Sequence, residues 1–266
     1  MLQAETGFSA ATKDVSDELV VALPVSGLRL NQDAEWCVIR DEKGWREIRF
    51  HDYGELYDIP GLYERVFYRI LKCNSPAIVR SLLEEELSRT GADPEELRVL
   101  DLGAGNGMVG EELSGMGVDK VVGVDIIEAA KNATDRDRPG IYQDYLVTDM
   151  TNLADEHWQR LAGYEFNCLT CVAALGFGDI PTKAFVEAYN LIARGGWIAF
   201  NIKESFLNGG DSSGFARLIK TMIADRSLLV RARRRYRHRL ATNGDPLYYV
   251  ATAAVKRRDV TDVLPS

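Results

Sequence analysis

The sequence predicts an α/β protein built on a doubly wound, seven-stranded, mostly parallel sheet with an N-terminal β-hairpin and helical extension. Three observations carry this. Short apolar runs rich in valine and isoleucine alternate with helical patterns from Leu97 to Ala224. One of those runs passes straight into Gly103-Ala104-Gly105-Asn106-Gly107 and then into a helix, so a strand, a glycine loop and a helix N-terminus meet at one point. The last two runs, Leu228–Leu240 and Leu247–Val255, are long strands joined by the turn Asn243-Gly244-Asp245-Pro246, an antiparallel pair that closes the sheet. At 266 residues the chain is long enough to bury a sizeable core. Two parts are expected: an extension over residues 1–74, with a hairpin and a lid or cap helix, and a ligand-binding domain over residues 75–266.

Met1 to about Glu18 is small and polar and reads as a frayed end. Leu19–Leu23 reads as a strand stopped by Pro24. Glu35–Arg40 and Trp45–Phe50 carry aromatic and β-branched residues around a turn that ends in Gly44, a hairpin. Leu62, Val66 and Ile70 recur at helical spacing over Leu62–Leu71. Ser75-Pro76 opens a second helix whose buried face is Ile78, Leu82, Leu83 and Leu87, and Gly91 ends it.

From there the alternation is regular. The predicted strands are Leu97–Leu102, Lys120–Asp125, Tyr142–Val147, Phe166–Val172 and Trp197–Ile202. The helices between and after them fall near Gly107–Met116, from Ile127, Leu153–Leu161, Thr182–Ala193 and Ala216–Ala224.

Composition excludes several classes. No apolar run approaches a membrane span, and the N-terminus lacks the basic start and apolar stretch of a secretory signal, so a cytoplasmic location is expected. The formal net charge of −8 argues against a general nucleic-acid binder. The exception is Arg231–Arg239, where Arg231, Arg233, Arg235, Arg237 and Arg239 would share one face of a strand; a charge-protected edge is favoured over an anion site. Cys168 and Cys171 form a CxxC inside an apolar strand rather than at a helix start, so they read as core, and no second pair completes a zinc site.

The chemistry concentrates on the glycine loop. A dinucleotide fingerprint of GxGxxG would require a third glycine where this chain has Met108; the pattern is GxGxG, preceded by Asp101 at the strand end. Exposed loop amides and an acidic neighbour suit a ligand with a cationic part better than a diphosphate. In order and spacing, VLDLGAGNG, VVGVDI, VTDMTNL and LIARGGWIAF resemble the motifs of the class I S-adenosylmethionine-dependent methyltransferases, from about Leu87 to Arg257. The stretch GIYQDYLVTDMTNL is also similar to the Williams–Beuren-region type of methyltransferase-like protein.

That resemblance implies a Rossmann-like methyltransferase fold, S-adenosylmethionine as cofactor, S-adenosylhomocysteine as product and no metal. It implies cofactor contacts from Asp101, Gly103, Ala104, Gly105, Asn106 and Gly107. Asp125 would accept from both ribose hydroxyls, and Ile126 would lie on the adenine face. Asp149 would take the adenine amino group, the Met150 amide a ring nitrogen, and Val172 would sit at the strand end facing the methyl donor. This strand end reads CVAALGFGD and lacks the Asn/Asp-Pro-Pro-Tyr pattern of amide methylation, so base methylation by that route is not expected.

Methyl transfer from a sulfonium demands positioning more than side-chain chemistry. Tyr57 and Tyr63 are candidates to contact the sulfonium or its carboxylate, and Arg69 to pair with the carboxylate. His51 is the least improbable base, with Tyr57 beside it, and no catalytic residue stands out. The expected partner is a small-molecule acceptor. The alternatives are a catalytically silent binding module and an RNA-directed methyltransferase that uses the arginine strand.

Overall fold

The computed structural model describes residues 19–24, 30–207, 211 and 213–261, so the frayed start expected at Met1–Glu18 lies outside the described residues. The chain divides into two compact units, one of residues up to Asn74 plus Arg237–Leu247, the other of Ser75–Tyr236 and the residues from Tyr248.

In the first unit, β1 (Val20–Ala22), β2 (Trp36–Asp41) and β3 (Gly44–Arg49) form an antiparallel sheet in that order. Register places Val21 opposite Ile39 and Cys37 opposite Ile48. All four are buried, with Phe50, Leu56, Leu62, Val66, Phe67 and Leu71. Two local features differ from the sequence reading. Tyr53–Asp58 forms a short helix, α1, that the sequence did not announce. The expected helix over Leu62–Leu71 is a π-helical turn over Glu64–Ile70, closed by the Leu71 N–H donating to the Val66 carbonyl at 2.9 Å. The wider turn keeps Leu62 and Val66 fully buried.

The second unit holds α2 (Ser75–Thr90), β4 (Arg98–Leu102), α3 (Met108–Gly115), β5 (Lys120–Asp125), α4 (Glu128–Asp137), β6 (Asp144–Val147), α5 (Asp155–Ala162), β7 (Cys168–Cys171), α6 (Thr182–Asn190), β8 (Trp197–Lys203) and α7 (Phe215–Ala224). The hairpin β9 (Leu228–Leu240) and β10 (Pro246–Lys256) completes the sheet, with its tip in the first unit. The seven strands run β6-β5-β4-β7-β8-β10-β9. Pairs β5–β6, β4–β5, β4–β7 and β7–β8 are parallel, and β10 lies antiparallel to β8. The chain starts at β4, steps out to β6 and returns to β7 on the other side of β4. That reversal makes the carboxyl ends of β4 and β7 the topological switch point, the place where open α/β sheets bind ligands.

Strand alternation splits the core in two. Leu100, Leu102, Val122, Val124, Leu169 and Phe200 join α6 and α7 residues such as Phe185 and Phe215 on one face. Val99, Val121, Cys168 and Ala199 join α2 and α3 residues such as Leu83 and Leu113 on the other. Among the described residues no helix is long and apolar enough to cross a membrane.

The arginine strand corrects one expectation. Arg231, Arg233, Arg235 and Arg237 are exposed, but Arg239 is 3% exposed and paired with Glu35 at 2.5 Å. The alternation breaks at the hairpin tip, where His238 and Arg239 are both buried.

Candidate functional site

The glycine loop is built by its neighbours. Gly103, Gly105 and Gly107 hold φ of 72°, 54° and 88°, a region that favours glycine. Amides expected to be open to a ligand are engaged inside the protein: Gly103 and Ala104 N–H both donate to the Val124 carbonyl, and Gly107 N–H donates to Ala104 O. Gly105 is clamped from both sides. Its N–H donates to Asp125 Oδ2 at 2.9 Å, and its carbonyl accepts from Tyr145 Oη at 2.8 Å and Thr134 Oγ1 at 2.9 Å. Asn106 is buried, and its carbonyl accepts from Arg138, which is also paired with Glu111.

The glycines admit the chain's own side chains. A Cβ on Gly103 would lie 2.9 Å from Ile180 Cδ1 and 3.0 Å from Ala174 Cβ. One on Gly107 would meet Arg138 and Ile141. Gly110 and Gly123 make room for the rings of Tyr142 and Tyr145. In the Cβ directions of Gly103 and Gly107 the near neighbours are the chain's own side chains.

Asp101 is fully buried on the α2–α3 face of β4, accepting from Tyr142 Oη and Thr170 Oγ1, each at 2.7 Å. Burial pushes its carboxyl up to about 7, against the pull of those two hydrogen bonds, and the Asp125 charge adds to the rise. Cys168 and Cys171 are fully buried in β7, and burial raises both thiols, which makes them inert.

Asp125 ends β5. Its Oδ1 accepts from the Ile127 N–H at 3.0 Å, so both oxygens already hold a backbone donor. Burial raises its pKa, opposed by those donors. A carboxylate has about four acceptor positions, and with the Ile126 N–H also acting on it, Asp125 keeps capacity for a further hydroxyl donor. Ile126 beside it is 62% exposed, an unusual position for a large aliphatic side chain. Asp149 is exposed and accepts from the Thr151 N–H and hydroxyl, which hold its carboxyl below the usual range. Met150 and Val172 are buried.

Asp125, Ile126, the glycine loop and Val172 therefore meet at the carboxyl ends of adjacent strands. Tyr57, Tyr63, Arg69 and His51 belong to the other unit. There Tyr57 stacks near Tyr53 and lies 4.9 Å from Tyr63, His51 packs edge-on to Tyr53, and Arg69 is exposed. Sequence reasoning missed Tyr142, Tyr145, Thr134, Arg138 and Thr170. The legible signal was the pairing of small Gly110 and Gly123 with tyrosines three positions apart. Among the described residues no group of three or more His, Cys, Asp and Glu could hold a metal.

Comparison with known proteins gives a consistent picture. A family model described as a methyltransferase domain matches residues 77–242. A ubiquinone biosynthesis O-methyltransferase of Thiobacillus denitrificans is 28% identical over 104 residues, 39% of this chain and 43% of that protein. The alignment thus spans less than half of that relative. Among solved structures, the N-methyltransferase NodS of Bradyrhizobium japonicum WM9, in complex with S-adenosyl-L-homocysteine, superimposes with a TM-score of 0.53 at 13% identity, covering 78% of this chain and 97% of that one. A candidate RNA methyltransferase of Pyrococcus horikoshii superimposes with a TM-score of 0.51 at 14% identity, covering 70% of this chain and 86% of that one. At these identities the likeness is one of fold. The matches reach the broad family and not the Williams–Beuren-region type.

Proposed function

The chain belongs to the methyltransferase-domain family, and we propose that it binds S-adenosylmethionine at the carboxyl edge of β4 and β5 and transfers its methyl group to a small-molecule acceptor. The observation that carries this is Ile126. An aliphatic side chain 62% exposed next to a hydrogen-bonded carboxylate makes a flat apolar surface beside two acceptor atoms. Adenine against Ile126 and a ribose hydroxyl on Asp125 complete both. Asp149, Met150 and the loop Gly103–Gly107 are proposed to complete the cofactor site, with Asp101 acting from beneath the loop. Bound there, the cofactor supplies an activated methyl group on a sulfonium. The chain's own part is to hold the donor in line with an acceptor about 3 Å away and to keep water out.

A small-molecule acceptor is supported by the strand of arginines. Arg231, Arg234 and Arg235 are paired with Glu86, Glu85 and Glu204, so part of the local positive charge is matched within the protein. The net charge of −8 gives no attractive field for RNA.

Calorimetry with S-adenosylhomocysteine tests the reading. Binding in the micromolar range is expected, with no binding of NAD. Ile126→Ser removes about 1–2 kcal/mol of apolar contact, so roughly tenfold weaker binding follows with an unchanged melting temperature. No binding to the wild-type protein at millimolar ligand, or preferential binding of NAD, overturns the assignment.

A further inference from the structure

One buried polar cluster lies outside the motifs. Asn201, in the middle of β8, is fully buried. Its Nδ2 donates to Tyr236 Oη at 2.6 Å and to Ser75 Oγ at 3.1 Å, and those two hydroxyls are 2.6 Å apart. Its Oδ1 accepts from the Ala173 N–H at 2.6 Å. Ser75 and Tyr236 are buried as well. The Ala173 N–H, which can only donate, fixes which way the amide points: its oxygen faces Ala173, and its NH2 is left to donate to the two hydroxyls.

Ala173 sits where this grip matters. It is a non-glycine residue at φ 58°, two positions past the end of β7. An alanine there costs on the order of 1–2 kcal/mol and persists only where its surroundings hold it. The next residue, Ala174, packs with Ile180 against Gly103 of the glycine loop. Three separate elements, the start of α2, β8 and β9, thus act through Asn201 on one backbone N–H just past β7, at the switch point of the sheet.

We propose that Asn201, oriented by Tyr236 and Ser75, is a positioning residue for the cofactor edge: it holds Ala173 in the left-handed conformation that lays Ala174 against Gly103. The inference rests on the reading of that edge as an S-adenosylmethionine site. Its alternative is a cluster that merely satisfies buried polar groups in the core.

The test uses S-adenosylhomocysteine as probe, with amide hydrogen exchange of Ala173 as a second readout. In Asn201→Leu, Ala173 exchange accelerates at least a hundredfold, while that of Leu100 and Val122 stays within threefold. Probe binding weakens at least tenfold. Adding Ala173→Gly to this variant removes the left-handed strain, and binding returns to within threefold of wild type. A merely structural role gives no such rescue. Tyr236→Phe keeps the ring and frees the Asn201 amide, so a smaller loss of binding in the same direction follows. If wild type binds the probe and Asn201→Leu binds it equally well, or if Ala173→Gly rescues nothing, the positioning role is wrong and the cofactor site stands. If wild type does not bind the probe, the cofactor reading falls first and this role with it. If Asn201→Leu does not fold, Tyr236→Phe decides: unchanged binding overturns the proposal.

Discussion

Asp101 and Lys256 show how a single buried charge is tied to its surroundings. Asp101 accepts from two hydroxyls, and its carboxyl is pushed up to about 7. The unfolded carboxyl titrates near 4. Between about pH 4 and pH 7 the folded protein therefore holds a proton that the unfolded chain has released, and stability falls as pH rises through that window. Asp101→Asn removes the titration and keeps a hydrogen-bonding amide between the two hydroxyls. Urea unfolding at several pH values should show the variant gaining on wild type by a few kcal/mol in all as pH rises from about 4 to about 7. Parallel curves would show that Asp101 is ionised in the folded state throughout. Lys256 is the opposite case. It is 1% exposed, and its Nζ donates to the carbonyls of Tyr189, Asn190 and Ile192 at the end of α6, as well as pairing with Asp259. One ammonium group thus reaches three carbonyls at and just past the end of α6, one of which, Tyr189 O, also accepts from the Ile192 N–H. Lys256→Met keeps most of the volume and strands those carbonyls, so a loss of about 2–4 kcal/mol is expected in chemical denaturation. A loss under about 1 kcal/mol would mean that water replaces the ammonium group without cost.

At the scale of elements, β6 supports the glycine loop from beside it. Gly123 of β5 stands directly opposite Tyr145 of β6, and the ring lies where a Gly123 side chain would be. The Tyr145 hydroxyl then reaches the Gly105 carbonyl. Gly123→Ala puts a Cβ 2.9 Å from that ring, with a cost of about 1–3 kcal/mol. Tyr145→Phe keeps the ring and loses the bond, so its stability cost should be smaller, about 1 kcal/mol. Thermal melts of the two variants check the order, and a larger loss in Tyr145→Phe would show that the hydroxyl and not the ring is the support. The strands and helices of this unit were legible because each apolar run is bounded by a glycine, a proline or an acidic cap, as at Asp125 and Gly91. The short α1 was not, since six residues that include Gly54 carry too little periodicity. The π-helical turn kept the helical stripe Leu62–Val66 and so read as an ordinary helix. The loop's support was illegible for a different reason: Thr170 is 69 positions from Asp101, and Tyr236 is 35 from Asn201, so only the folded sheet brings them together.

At the scale of the whole chain, the first unit is completed by a segment far from it in sequence. Arg237–Leu247, the tip of the β9–β10 hairpin, belongs with the residues up to Asn74. The join is chemical. Arg239 donates to Glu35 at 2.5 Å and to the Leu240 carbonyl, and its guanidinium lies 5.7 Å from the ring centres of both Phe50 and Phe67. The other oxygen of Glu35 accepts from the Thr242 N–H at 2.6 Å, and the Leu240 N–H donates to the Leu71 carbonyl at 2.7 Å. Glu35 is fully buried. Glu35→Ala would leave a buried guanidinium without its counter-ion, an event that costs about 3–5 kcal/mol. Two consequences distinguish a cooperative unit from a local contact. In a cooperative unit, amide exchange accelerates together in β2, β3, the π-helical turn and Arg237–Leu247, while β4, β5 and β7 keep their protection. In a local contact, acceleration is confined to the few amides around Glu35 and Thr242. Exchange measured by mass spectrometry on Glu35→Ala separates the two, and a rise in β4 and β5 as large as that in β2 would show that the chain unfolds as one body.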